Sequence, residues 1–317
     1  MRLFIAAVCM VGLAGLWGCG GDAFEPYNEL AGLRLLAISA DPPQLGYQET
    51  ASLTPLVFSE GDLPVRYTWS WCPLTSGASD GYTCLISHAE LSAIMAFLAP
   101  HAAPLPGYDL GSASTASFTN PFSPQLLGQL CAQFAAASGQ LLTQDSCIQG
   151  FGVTVSLRVE SAAGVIDGVK EISVLIDDAA APNRNPVSSG VRVQRQPTDE
   201  VFTQLPDLDG LLRETTYTLL ADVAQDQAES YVGEDRYGNR VTIRESLLLS
   251  WFVHGGETTS SRTSFLEGDR PLSEALRNAW ETPSARDFSA DVAELIVVVR
   301  DNRGGTSWRR YPSPLLP

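Results

Sequence analysis

Alternating apolar and polar positions predict β-strands along most of the chain. Residues 65–72 read VRYTWSWC. Successive side chains of a strand point to opposite faces, so the valine, the tyrosine and the two tryptophans, Trp69 and Trp71, are expected on one face. Similar short segments predict strands at residues 33–40, 51–58, 153–160 and 171–176. The first part of the chain is therefore expected to form a sheet whose aromatic face is turned towards a core.

The second part of the chain repeats this plan. The tryptophan-bearing segment LLLSWFV lies at residues 247–253, and LIVVV follows at residues 295–299. Alternate positions of both segments, Trp251 among them, are expected to face one core between two sheets. Further strands are predicted at residues 190–193, 217–223 and 306–311. The repeated order predicts an all-β fold of two tandem β-sandwiches, over residues 33–178 and 185–317.

Two segments of helical character interrupt the first sandwich. They cover residues 89–98 and 124–142, and Ser87 and Ser123 precede them as N-cap candidates. The pattern predicts a helical insertion over about residues 75–150. Residues 177–186, DDAAAPNRNP, lack apolar periodicity and predict the boundary between the sandwiches.

The N-terminus has the pattern of an export signal. Arg2 precedes an apolar run over residues 3–16, which is shorter than the roughly 20 residues that span a membrane. The run ends in LWGC, which resembles a bacterial lipobox and implies cleavage before a lipidated Cys19. Gly20 follows, where an aspartate would retain such proteins in the inner membrane. We therefore expect a signal peptide over residues 1–18, a lipidated tether over residues 19–32 and an outer-membrane location. An ordinary secretory signal is the alternative.

The remaining cysteines predict disulfides. Cys9 belongs to the signal and Cys19 carries the lipid, which leaves an even number in an exported chain. Three connectivities are open, and nearest-neighbour pairing closes the shortest loops. The spacing lacks the tight Cys-x2–4-Cys pairs that are usual in zinc sites. The favoured pairs are Cys72 with Cys84 and Cys131 with Cys147.

The charge of the chain is strongly acidic. The formal net charge is −16, and removal of Arg2 with the signal makes it one unit more negative. A chain of this charge repels nucleic acid and anionic lipid at long range, which excludes nucleic acid as an expected partner.

One turn carries a family resemblance. Residues 301–305, DNRGG, follow LIVVV and resemble the final hairpin of PKD-like and immunoglobulin-like domains in bacterial surface proteins. In those folds the strand before this turn packs on the tryptophan of the third strand, here Trp251. Gly304 and Gly305 are expected to be turn residues with positive φ.

A longer pattern extends this resemblance. The segments RESLLLSWFVHGG, SRTSFLEG, AWETP and VVVRDNRGGTSW resemble uncharacterised lipoproteins of Gram-negative bacteria. LRLLAISADPPQ and WSWCP extend the likeness to the first sandwich. This resemblance implies two tandem immunoglobulin-like or PKD-like β-sandwiches and brings no activity with it.

Few residues suggest catalysis. The motifs HExxH and GxSxG, a Walker-type loop and a paired Cys-His motif are all absent from the sequence. A Ser-His-Asp triad converges only in space, so the sequence leaves it open. His254 precedes two glycines and is expected to be exposed in a turn. The three histidines are His88, His101 and His254.

Calcium is the remaining site hypothesis. Residues 207–210 copy part of an EF-hand loop, but Thr218 stands where the bidentate glutamate is needed. A second set at the boundary is better explained as solvated polar loop residues. It comprises Asp177, Asp178, Asn183 and Asn185.

These observations predict a protein without catalytic residues, metal or cofactor. We expect Trp69, Trp71 and Trp251 in cores, whereas Trp308 could be a core residue or a ligand platform. The expected function is that of a non-catalytic cell-envelope lipoprotein, held to the membrane by its lipid, that binds envelope protein or polysaccharide. The alternative is a hydrolase such as a glycosidase with carboxylates from separate loops.

Overall fold

The computed structural model describes residues 26–98, 104–129, 150–176, 182–197, 201–235, 237 and 239–317. No helix within these ranges is long and apolar enough to cross a membrane. The expected signal peptide and several of the singled-out residues lie outside the described residues. These are Cys19, His101, Cys131, Cys147, Asp177 and Asp178.

The first half of the chain forms two sheets. Their strand orders are β1-β3-β6 and β2-β8-β7-β4-β5. The elements are β1 (Leu33–Asp41), β2 (Gln44–Leu45), β3 (Thr50–Ser59), β4 (Arg66–Cys72), α1 (His88–Leu98), β5 (Asp109–Gly111), β6 (Ala116–Thr119), β7 (Phe151–Ser161) and β8 (Gly164–Val174).

The second half forms two five-stranded sheets and a hairpin. The orders are β10-β9-β12-β18-β16 and β11-β20-β19-β15-β17, and the hairpin is β13-β14. The elements are β9 (Ser188–Arg195), β10 (Thr203–Gln204), β11 (Leu211–Leu212), β12 (Thr216–Val223), β13 (Ser230–Glu234), β14 (Arg240–Arg244), β15 (Leu247–His254), β16 (Glu257–Thr258), β17 (Arg262–Phe265), α2 (Leu272–Ala275), β18 (Arg277–Glu281), β19 (Val292–Asp301) and β20 (Thr306–Leu316).

The two halves share a strand arrangement. A short strand runs parallel to the last strand in each half, as β2 beside β8 and β11 beside β20. The tryptophan-bearing strand pairs antiparallel with the penultimate strand, as β4 with β7 and β15 with β19. The fold is mostly β-sheet, as the alternating pattern predicted.

The predicted core tryptophans are buried. In β4, Trp69 and Trp71 have at most 1% of their surface exposed, while their neighbours Thr68 and Ser70 are exposed. Trp251 is 0% exposed and lies opposite Val297 of β19, which leads into the DNRGG turn. Its Nε1 donates a hydrogen bond to Thr263 Oγ1 at 2.9 Å. The prediction that these tryptophans lie in cores is therefore confirmed.

The region expected to be one helical insertion differs from that expectation. The strands β5 and β6 lie inside it and pair with β4 and β3, so each of the two sheets contains one strand from this region. The helix α1 begins where expected: Ser87 Oγ accepts from Glu90 N, and Glu90 Oε2 accepts from Ser87 N, which is a capping box. Residues 124–129 are also helical. A disulfide joins Cys72 to Cys84, the favoured pairing.

Candidate functional site

The sheet β15-β19-β20 is covered on both faces. Its inner face contributes to the core around Trp251. Its outer face carries Phe252, Ile296 and Val298, which are at most 1% exposed. They pack against Leu36, Ala37, Leu56 and Phe58 of β1 and β3, with Leu30 in the same cluster and Trp308 partly buried against it. The two halves therefore share an apolar interface, and Trp308 belongs to that interface.

A buried ion pair lies at one edge of this interface. Arg303 Nη1 is 3.2 Å from Glu245 Oε1, and the two side chains are 9% and 0% exposed. Arg303 Nη2 donates to Gln44 Oε1 of the first half at 2.9 Å. The guanidinium also lies over the ring of Tyr231, 4.8 Å from its centroid. Arg303 thus ties Gln44 to the second half, while its Nε has no hydrogen-bond partner.

The DNRGG turn organises these contacts. Asp301 Oδ1 accepts hydrogen bonds from Arg303 N and Gly305 N, both at 2.8 Å. Gly304 has a φ of +98°, as expected for a turn glycine. The expectation for Gly305 was wrong, because it does not have positive φ. A Cβ there would lie 2.9 Å from Arg184 O, so Gly305 permits close approach of the linker.

The linker residues after the boundary are held in this network. Asn183 is 1% exposed; its Nδ2 donates to Asp301 Oδ2 at 3.1 Å and its N donates to Gln44 Oε1 at 2.8 Å. Asn185 Nδ2 donates to Ala40 O at 2.9 Å. Both asparagines of the calcium hypothesis therefore bind protein groups. No cluster of metal-ligating side chains occurs within the described ranges.

Burial shifts the ionisation of the network. Burial raises the pKa of Glu245, and the nearby Asp301 carboxylate raises it further. Hydrogen bonding from Glu229 N and the charge of Arg303 oppose this shift. Removal of Arg303 would therefore leave a buried carboxylate without its cation.

Lys170 is the only lysine of the chain, and it is buried at the same junction. It lies on β8, and its Nζ donates to Gly304 O and, at 3.3 Å, to Thr306 Oγ1 of the second half. Burial lowers the pKa of Lys170 to about 8, and the charge of Arg300 acts in the same direction. The charges of Asp301 and Glu171 raise the pKa and offset part of this effect.

The N-terminal segment is docked on the second half. Leu30 N donates to Val253 O and Val253 N donates to Asn28 O, each at 2.8 Å. Arg262 lies over the Tyr27 ring, 4.3 Å from its centroid. Residues 27–30 are therefore part of the folded body, although the range 19–32 was expected to be a tether.

The described histidines have structural contacts. His254 was expected to be exposed in a turn, which is wrong: it is the last residue of β15 and is partly buried. Its Nδ1 lies 3.0 Å from Leu30 O, and its ring contacts Phe58 and Phe288. The docked N-terminal segment covers it, which no local pattern showed. His88 begins α1 and packs edge-on against Tyr108.

An acidic groove lies beside the docked segment. It has a volume of about 790 Å³ and also contains His254 and Phe288. Glu257 of β16 lies directly opposite Glu281 of β18 in the strand register, and both side chains are exposed. The acidic residues of the groove are Glu29, Glu60, Glu214, Glu257, Glu281 and Asp287.

The junction residues Gln44, Lys170, Glu245 and Arg303 were not identified from the sequence. Two signals were available. One is the uninterrupted run LIVVV, because a strand that is buried on both faces does not alternate. The other is the single lysine of the chain. Neither signal indicates which distant residues form hydrogen bonds or ion pairs with these buried side chains.

The chain matches no protein-family model and no curated protein. It is similar to Escherichia coli alpha-2-macroglobulin activated by porcine elastase, with 10% identity, 92% of this chain and 22% of that chain covered, and a TM-score of 0.23. It is also similar to the N-terminal four Ig domains of Dscam1 isoform 1.9, with 10% identity, coverage of 90% and 77%, and a TM-score of 0.21. The chain spans less than a quarter of the alpha-2-macroglobulin chain.

Proposed function

We propose that the protein is a non-catalytic lipoprotein of the cell envelope, built from two immunoglobulin-like β-sandwiches packed side by side, that binds envelope protein or polysaccharide. The junction carries this proposal. Its apolar cluster and its buried Arg303, Glu245 and Lys170 hold the two halves together. The shared strand arrangement of the halves supports tandem sandwiches. Because the junction holds the two halves in one arrangement, the protein presents a rigid surface to a binding partner.

The lipid anchor rests on the LWGC segment. Each buried methylene contributes about 0.8 kcal/mol, and stable anchoring needs more than one acyl chain, which a triacylated Cys19 supplies. In a Gram-negative host, the chain should incorporate labelled palmitate and fractionate with the outer membrane. Cys19→Ala should abolish the labelling, while Cys9→Ala should not. Labelling that persists in Cys19→Ala would contradict the anchor.

Binding is tested with defined envelope material. The purified chain should sediment with isolated peptidoglycan sacculi, or cross-link to an outer-membrane protein in envelope vesicles. The same incubation is assayed for new reducing ends, which a binding protein does not produce. A chain that remains in the supernatant and cross-links to nothing would contradict the binding proposal.

One observation favours the hydrolase alternative. Glu257 and Glu281 face each other across β16 and β18 in the acidic groove, and glycosidases use a pair of carboxylates. The two side chains are exposed, whereas the general acid of a glycosidase is held in a less polar pocket. If reducing ends appear and Glu281→Gln abolishes them, the alternative is correct.

A further inference from the structure

The two halves have common ends, which the strand register defines. The strand β1 begins at Leu33, next to the docked N-terminal segment, and its residue Ala40 contacts Asn185 of the linker. The strand β15 runs the other way: Ser246 precedes it and binds Asn302, and His254 ends it beside Leu30. We call the end with residues 26–32 the anchor end.

The disulfide loop lies at the opposite end, here called the loop end. The strand β1 runs from Leu33 at the anchor end to Asp41, and β2 begins at Gln44, so Gln44 marks the opposite end. Gln44 lies beside Ser173 of β8, and Phe151 of β7 lies opposite Val174 of β8 at the same end. Cys72 of β4 lies opposite Thr154, only three residues further along β7. The length of a nine-residue strand such as β1 is about 30 Å, which separates the two ends.

Docking shortens the spacer that would join the body to a lipid. Tyr27 O and Glu29 O both accept hydrogen bonds from Arg34, and Asn28 Nδ2 donates to Thr258 Oγ1 at 2.7 Å. Leu30 is 2% exposed. With the chain fixed from residue 27 onward, the path from Cys19 to Pro26 spans at most about 25 Å, whereas a free path to Leu33 would span about 50 Å.

We propose that the anchor end faces the lipid bilayer and that the loop end faces away from it. The inference rests on the proposed lipid anchor at Cys19. The spacer is shorter than the distance between the two ends, so the anchor end is held nearer to the lipid headgroups. The exposed side chains of Leu74 and Leu85, at the two sides of the disulfide loop, then point away from the membrane.

The partner in this proposal is a lipid surface, and energy transfer measures the distance to it. The full acylated chain is reconstituted into vesicles of zwitterionic phosphatidylcholine that contain a headgroup-labelled acceptor lipid, because the acidic groove at the anchor end would be repelled by anionic lipid. A donor dye is attached through an azide-bearing amino acid at Glu257, beside the anchor end, or at Leu85. Both positions are exposed. We expect at least two-fold higher transfer efficiency from position 257. Equal or reversed efficiencies would overturn the proposal.

Two controls separate the spacer from other causes. A fourteen-residue Gly/Ser insertion between Gly21 and Asp22 leaves the docking contacts in place and should bring the ratio of efficiencies towards one. The undocking variant Tyr27→Ala/Leu30→Ser should lower the ratio in the same direction. A ratio that the insertion does not change would overturn the proposal, because it would show that the spacer does not set the orientation.

Failure of the lipid anchor is detected separately. Mass spectrometry of the N-terminal peptide shows whether Cys19 is acylated before reconstitution. If it is not, the proposed lipoprotein function fails. The orientation is then measured on a chain that carries a tetrazine-bearing amino acid at position 19, coupled to a trans-cyclooctene lipid that does not react with the azide for the dye, and the same two-fold criterion decides it.

Discussion

The strands β4 and β15 occupy equivalent places in the two halves, yet only one of them is covered on both faces. Their inner faces are alike, since Trp71 and Trp251 are both buried. The outer face of β4 carries exposed polar residues such as Thr68 and Ser70. The outer face of β15 carries Phe252, which is 1% exposed against the first half.

This difference shows where the two halves meet. A sheet with one solvated face alternates, whereas a sheet that is covered on both faces does not. The segment RYTWSWC alternates and LLLSWFV does not, and the same holds for LIVVV. The second half alone would therefore expose Phe252, Ile296 and Val298 to water.

The largest effect should come from a charge on the covered face. We expect Phe252→Asp to lower the free energy of unfolding by about 5 kcal/mol or more, because it removes a buried ring and buries a carboxylate. The matched variant Thr68→Asp on the open face of β4 should change it by about 0.5 kcal/mol or less. Urea unfolding of the full chain measures both. Similar losses of unfolding free energy in the two variants would contradict the difference between the covered face of β15 and the open face of β4.

Removal of the buried tryptophan from the inner face should destabilise the protein equally in β4 and in β15. Trp251→Ala and Trp71→Ala each remove a fully buried indole and should cost about 3–5 kcal/mol in the full chain. Thermal and urea unfolding give the two values. A Trp251→Ala protein that melts within a degree or two of the parent would place Trp251 on the surface.

Removal of one partner of the buried ion pair should lower the free energy of unfolding. Arg303→Ala leaves Glu245 without its cation and should cost about 3–5 kcal/mol. The double variant Arg303→Met/Glu245→Leu removes both charges and should be less destabilised than Arg303→Ala. A double variant that is as unstable as the single one would show that the charge pair is not what Arg303 contributes.

The buried Lys170 should make the free energy of unfolding depend on pH, with a smaller effect than the substitutions above. Its pKa is lowered to about 8 in the folded chain, against about 10.4 when unfolded, so between these values the unfolded state binds more protons. The free energy of unfolding should therefore rise with pH, by about 1.6 kcal/mol between pH 8 and 9.5. This range stays below the titration of Tyr311, whose pKa burial raises to about 12.

The comparison variant for this prediction is Lys170→Met. It should lose the rise that the parent shows over the same pH range, measured by urea unfolding at each pH. If parent and variant have the same pH dependence, Lys170 does not titrate differently in the folded chain.

Features with a local cause were predictable. The alternation of VRYTWSWC places Trp69 and Trp71 in the core, and the pattern Ser87-x-x-Glu90 forms a cap. The Cys72–Cys84 pair closes a short loop. In each of these, the spacing along the chain alone decides the contact.

Features that depend on the packing of the halves were not predictable. His254 appeared exposed because its cover, Leu30, is distant in sequence. Gly305 was expected to have positive φ, but the reason that it must be glycine is the close approach of the Asp301 carboxylate and of the linker at Arg184 and Pro186. The partners of Arg303 come from both halves. A single sequence does not show which distant segments meet.

Chemical labelling of Lys170 tests the packing of the halves most directly. It is the only lysine, so an amine-reactive reagent has one side-chain target, and peptide mapping separates it from the N-terminal amine. At pH 8 about half of the Lys170 side chains are neutral in the folded chain, so a slow reaction cannot be attributed to protonation. We expect modification slower than in the urea-unfolded chain by on the order of 100-fold or more, and faster in Phe252→Asp. Labelling of the native chain at the unfolded rate, unchanged by Phe252→Asp, would contradict the packed junction.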